Sequence, residues 1–167
     1  TGTDASTTCS DDAVITVIVN PLPTVTASSN PVSPLCDGDL LTLTGGGTAT
    51  SYTWDNSVVD NIAFTPAVGT VTYTVTGTDA STTCSDNAVI TVTVNALPTV
   101  TASSNPVSPL CDGDLLTLTG SGAGITGTYT WTDGTTTYTD GLAFTPLVGT
   151  VTYTVTGTDV NSCINTD

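Results

Sequence analysis

In the stretch TVTYTVT the residues Val71, Tyr73 and Val75 alternate with Thr72, Thr74 and Thr76. One face of such a segment is apolar and the other carries hydroxyls, which is the period-2 pattern of a half-buried β-strand. TVTASS, LLTLTG, SYTWD, IAFTP and AVITVTV are further short runs rich in Val, Thr, Tyr and Ile, and clusters of Pro, Gly, Asn and Asp separate them. No segment has helical periodicity. The pattern predicts an all-β chain with about six or seven strands per roughly 75 residues, as in a β-sandwich.

The strands belong to a repeat. Residues 1–45 and 76–120 align without a gap at an offset of 75, differing only at Asp12/Asn87, Ile18/Thr93 and Pro21/Ala96. Gly46–Val75 and Ser121–Val155 then diverge, the second being five residues longer, before both reach TVTYTVTGTD. Residues 21–95 read as a complete sandwich whose last strand is Ala88–Val94. Residues 96–167 read as a second sandwich, running through the strand Thr150–Thr158 and lacking the last one. Residues 1–20 hold a spare copy of that strand, Ala13–Val19.

A sandwich without an edge strand exposes core and unpaired backbone, which invites strand addition. The frame predicts that Val14, Ile15, Thr16, Val17, Ile18 and Val19 of one copy fill the gap in another. One donor and one acceptor per chain give a head-to-tail contact that propagates into a fibre. Ile18 in place of Thr93 adds an apolar side chain to the outer face, which suits a strand covered on both sides. The competing reading is an excerpt from a long tandem array, with the missing strand following Asp167. The absence of an initiator Met and of a signal peptide is read as that of a processed or excised piece of an exported protein.

Trp54 and Trp131, one per repeat, and Tyr73 and Tyr153 in the penultimate strands are the expected core aromatics. The arrangement VTASSNPVSPLCDGDLLTLTG, YTW, FTPAVGTVTYTVTGTD, then Cys and AVITVTVN resembles the bacterial Ig-like/PKD-like repeats of large secreted adhesins and surface filaments. The acidic-glycine signature that follows Trp in many PKD domains is absent, since Trp54 leads into Asp55-Asn56-Ser57, so the broader Ig-like label fits better. The resemblance spans nearly the whole chain and implies two tandem Ig-like/PKD-like β-sandwich modules acting as a cell-surface spacer or scaffold.

Charge narrows the partners. The chain has fifteen acidic residues, all Asp, and no Lys, Arg or His. Nucleic acid and acidic membrane surfaces are excluded, because binding them relies on Lys and Arg. No apolar run is long enough to insert into a membrane. Copies of the chain itself, cations and glycans remain as partners. An enzyme is not expected: no base or nucleophile beyond Asp, Ser, Thr, Tyr and Cys is present, and the acidic pairs lie in turns. No cofactor is expected. Lys–Asn isopeptide staples are impossible without Lys.

Five Cys fit an oxidising, extracellular compartment. Once-per-repeat placement favours Cys36–Cys84 and Cys111–Cys163. In an Ig topology, however, each pair would lie at opposite ends of its sandwich, which leaves a bridge between repeats such as Cys36–Cys163 as the alternative. Cys9 is left for a neighbouring subunit or repeat. Asp37-Gly38-Asp39 and Asp112-Gly113-Asp114 offer oxygens to Ca²⁺ but read first as turns.

Overall fold

A computed structural model describes residues 1–167, the side chain of Ser10 excepted. Among the described residues all regular structure is β. A short hairpin, β1 (Gly2–Thr3) and β2 (Ser10–Asp11), comes first. The first full repeat supplies β3 (Val25–Asn30), β4 (Leu35–Cys36), β5 (Leu41–Gly47), β6 (Ser51–Trp54), β7 (Ala63–Phe64), β8 (Gly69–Thr78) and β9 (Ser85–Asn95). They form one sheet in the order β3-β5-β7 and another in the order β4-β9-β8-β6. All neighbours are antiparallel except β4 and β9, which run parallel at Leu35/Val94 and Cys36/Asn95.

The alternation seen in the sequence sets what lies between the sheets. Leu41 and Leu43 of one sheet meet Trp54, Tyr73, Val75, Val92 and Val94 of the other, and Leu35 closes the edge. Burying an aliphatic side chain of this size contributes about 1.5–3 kcal/mol, so the inward row of β9 is a large part of this core. The outward Thr rows pair with each other: Thr70 with Thr93 and Thr72 with Thr91, hydroxyl to hydroxyl at 3.1 Å.

The second repeat supplies β10 (Thr101–Asn105), β11 (Leu116–Ser121), β12 (Thr128–Thr132), β13 (Thr137–Thr139), β14 (Ala143–Phe144), β15 (Thr154–Thr158) and β16 (Ile164–Thr166), in sheets β10-β11-β14 and β13-β12-β15-β16. Three of its five extra residues fall between Trp131 and Asp140, where the first repeat has Trp54 and Asp60. They build the β12–β13 hairpin, which brings Tyr138 against Phe144 and Tyr153 at ring separations of 4.4 and 5.4 Å. The Asp133 carboxylate shapes the hairpin turn. It accepts the backbone N–H groups of Thr136 and Thr135 and the Tyr138 hydroxyl, which together hold it well below the usual carboxylate range. That same hydrogen bond pushes the Tyr138 phenol up.

Three expectations change. The last strand of the first repeat begins at Ser85, three residues before the expected Ala88, because the six-residue connection after β8 is closed by the Asp79 N–H to the Cys84 carbonyl and pairing starts at once at Thr78/Ser85. The second repeat therefore keeps the beginning of its last strand as β16. Thr150–Tyr153, expected as strand, has no ladder partner and is irregular, so β15 begins only at Thr154.

The cysteine pairing also differs from the favoured one. Cys36 is bridged to Cys163, with Cα atoms 5.5 Å apart, while Cys84 and Cys111 carry free thiols. Cys36 lies beside Asn95 at the far end of β9, and Cys84 immediately precedes that strand. Eleven residues at about 3.3 Å each put roughly 35 Å between them, far beyond the ~7 Å Cα limit of a disulfide.

Candidate functional site

The candidate site is an open groove on the second repeat, together with the apolar segment that matches it. In the first repeat β8 is paired over its whole length, from Thr78/Ser85 to Gly69/Val94. In the second, β15 pairs with β16 from Thr158/Ile164 to Thr156/Thr166, and reciprocal backbone hydrogen bonds join Val155 to Asp167. The Asp167 carboxylate also accepts the Ala102 N–H at 2.7 Å, which pins this stub against β10. Beyond Val155 the edge is bare. Of the residues matching the rest of β8, Gly149–Tyr153 face no strand, and Thr154 is paired only on its β12 side, with Thr132.

The consequences reach into the core. The groove has a volume of about 580 Å³ and is floored by Leu116, Leu118, Trp131 and Tyr153, with Leu110 and Val151 on its rims. Leu35 is 3 % exposed in the first repeat, where β4 pairs with the end of β9. Its counterpart Leu110 is only half-buried, and Leu110–Cys111 form no strand. The second core is built around Val100, Leu116, Leu118, Trp131 and Val155, and nothing in it stands where Val92 and Val94 stand in the first.

The donor candidates occupy the complementary state. Val14, Ile15, Val17, Ile18 and Val19 are between 74 and 90 % exposed and, with Thr16, lie outside any strand. The first-repeat counterparts of Val17 and Val19, Val92 and Val94, are 1 and 3 % exposed, while that of Ile15, Ile90, is half-buried and that of Val14, Val89, is exposed on the outer face. The preceding hairpin matches the turn between β8 and β9 bond for bond: Gly2/Asp11 and Thr3/Ser10 match Gly77/Asp86 and Thr78/Ser85. Asp4 and Asp79 each accept the N–H and hydroxyl of the serine two residues on, which lowers both carboxyls. The segment that follows this hairpin thus has the sequence, but not the pairing, of the strand that follows the same hairpin in the first repeat.

Trp54, Tyr73 and Trp131 are buried, and Tyr153 is half-buried because it faces the groove. Sequence reasoning missed their anchors. Asp60 Oδ1 accepts both the Trp54 Nε1–H at 2.8 Å and the Gly45 N–H at 2.7 Å. Asp140 Oδ1 does the same for Trp131, at 2.8 Å, and for Gly120, at 2.6 Å. Glycine is needed at the strand position because the Tyr52 ring lies over it; a Cβ on Gly45 would stand 2.7 Å from that ring. The recurrence of Asp four residues before each Phe was the available signal. Asp60→Ala and Asp140→Ala are each expected to destabilise their own repeat by about 2 kcal/mol, since a buried indole N–H and a backbone N–H lose a charged acceptor. Urea denaturation followed by Trp fluorescence checks this, and Asn at either position should restore part of the loss.

The remaining candidates have structural occupations. Asp39 and Asp114 each accept the backbone N–H of the preceding cysteine, Cys36 or Cys111, at 2.8 Å. Asp37 and Asp112 flank the same turns, and among the described residues no cluster of three or more such ligands could hold a metal. Among the described residues, too, no helix is long and apolar enough to cross a membrane. The chain matches no protein-family model and no curated protein.

Proposed function

We propose that this chain is a structural subunit of an extracellular filament or stalk, which polymerises head to tail when Ala13–Val19 of one copy enters the groove of the next. One observation carries the reading: the bare edge Gly149–Thr154 and the unpaired Val14–Val19 are the same length and match the Gly69–Thr74 and Val89–Val94 ladder of the first repeat. By that register Ile15, Val17 and Val19 point inward over Trp131 and Tyr153, and Val14, Thr16 and Ile18 point outward. Ile18 would lie against Thr150, where Thr93 lies against Thr70. The Cys36–Cys163 bridge fits an oxidising, extracellular setting. Outer hydroxyls of the first repeat already paired in Thr–Thr contacts favour a scaffold over a ligand-binding surface.

The register also fixes which residues are dispensable. Ala13 of a donor would fall opposite Val155, a place Asp167 already holds, so of Ala13–Val19 only Val14–Val19 would pair in the groove, and the hairpin of residues 1–12 must peel away from the acceptor. Negative-stain microscopy is expected to show fibres from the full chain and from a chain lacking residues 1–12, and monomers from a chain lacking residues 1–20. Monomers from all three would overturn strand donation and leave two sandwiches of a longer stalk whose groove is filled from the same chain.

A further inference from the structure

The Cys36–Cys163 bridge is a junction device, and the repeat carries the parts for a second one across the contact between copies. Cys36 stands where the first repeat ends: β4 runs beside the last residues of β9, and the Asp37 N–H binds the Asn95 carbonyl at 2.8 Å. Cys163 stands in the turn between β15 and β16. The strand that follows, β16, reaches back to the start of its own repeat, where Asn165 Nδ2 donates to the Pro98 carbonyl at 2.9 Å. The segment between the repeats, Asn95-Ala96-Leu97-Pro98, therefore passes under a bridge that joins the end of one sandwich to the start of the next.

Both free partners of that bridge exist. Cys111 is the repeat equivalent of Cys36, and Cys84 occupies the same turn as Cys163. Within one chain they cannot meet, since Cys84 lies in the turn at the start of the first sandwich and Cys111 at the end of the second. They meet if copies join as proposed above, a reading on which this inference rests. Asn20-Pro21-Leu22-Pro23 of the donor copy would then repeat the path of Asn95-Ala96-Leu97-Pro98. Leu110–Cys111 of the acceptor would pair with Val19–Asn20 as Leu35–Cys36 pair with Val94–Asn95.

We propose that Cys111 of each subunit forms a disulfide with Cys84 of the subunit whose strand it receives, so that the filament is covalent from end to end. The two thiols lose two protons and two electrons to a small disulfide oxidant such as oxidised glutathione, which leaves as two thiols, and one S–S bond forms for each one broken. Strand donation comes first, because Cys111 is placed only when the strand beside it is present. The odd sulfur is Cys9. It sits in the same hairpin turn as Cys84 and Cys163, and in the acceptor sandwich Cys163 already fills that role.

The test is electrophoresis without reductant of fibres assembled in a glutathione redox buffer, run beside microscopy of the same samples. The full chain and Cys9→Ser are expected to give a ladder of 16.7 kDa steps that collapses to monomer on reduction. Cys111→Ser and Cys84→Ser should each form fibres that run as monomers. An equal mixture of the two single variants should give covalent dimers and nothing longer. Digestion at Asp of fibres made from mixed ¹⁴N and ¹⁵N chains should yield Cys84 and Cys111 peptides linked across the isotopes. Fibres whose Cys84 and Cys111 stay open to alkylation, or whose ladder needs Cys9, overturn the bridge and leave strand donation standing. An absence of fibres overturns both.

Discussion

Val17→Asp is expected to abolish assembly and to leave the single chain folded with an unchanged melting profile. The two halves of that result come from two environments of one side chain. In the free chain Val17 is 74 % exposed and touches no core, and exposed substitutions of this kind change stability by less than about 0.5 kcal/mol. In the filled groove it would take the place that Val92, 1 % exposed, takes in the first repeat. A carboxylate has no basic partner there, because the chain contains no Lys, Arg or His. Leaving it buried and unpaired costs on the order of 4 kcal/mol or more, a loss of about 1,000-fold in association. Sedimentation velocity beside a circular-dichroism melt reads both halves. Val92→Asp is the control: the same substitution at the repeat-equivalent position should unfold the first repeat. Fibres from Val17→Asp at the wild-type concentration would mean that the inward row of residues 15–19 is not what fills the groove.

How much of this was legible in the sequence depended on range. Alternation is a local property, and it set Val71, Tyr73 and Val75 on one face, of which Tyr73 and Val75 are buried. The repeat made the unmatched strand visible by comparison alone, without any structure. What could not be read was set by distances across the fold. Cysteine positions recur with the repeat, but pairing depends on which ends of the sandwich meet; β9 separates Cys36 from Cys84, and the β15–β16 turn of the second repeat brings Cys163 to Cys36. The Asp60 and Asp140 anchors were missed for a related reason. Each joins three elements, a glycine strand, a Trp strand and the loop before the Phe, and a lone Asp in a loop carries no mark of that role. The early start of β9 was hidden because Ser85-Asp86-Asn87 has the composition of a turn, although its backbone completes the ladder with β8.

Reducing Cys36–Cys163 is expected to split and lower the thermal unfolding of the chain, with the second repeat melting first. The bridge closes a loop of 127 residues, and a loop of that size stabilises by about 5 kcal/mol in the chain-entropy model. The share reaching each repeat is unequal because the cores are unequal. The first repeat buries Leu35, Val92 and Val94 at its edge and keeps a complete ladder there. The second holds its last strand as three residues and leaves Trp131 at the floor of an open groove. While the bridge is intact, unfolding the second repeat leaves Cys163 tethered to the folded first one, so much of the lost chain entropy is not recovered. Calorimetry with and without dithiothreitol measures the split, and no free thiol of the chain confuses the comparison in the monomer, since Cys9, Cys84 and Cys111 are already reduced. Adding a peptide of residues 13–20 to the reduced protein should then raise the lower transition alone, because the peptide supplies the missing inward row without the covalent tie. An unchanged melt on reduction would show that the contact between repeats, and not the disulfide, holds the junction.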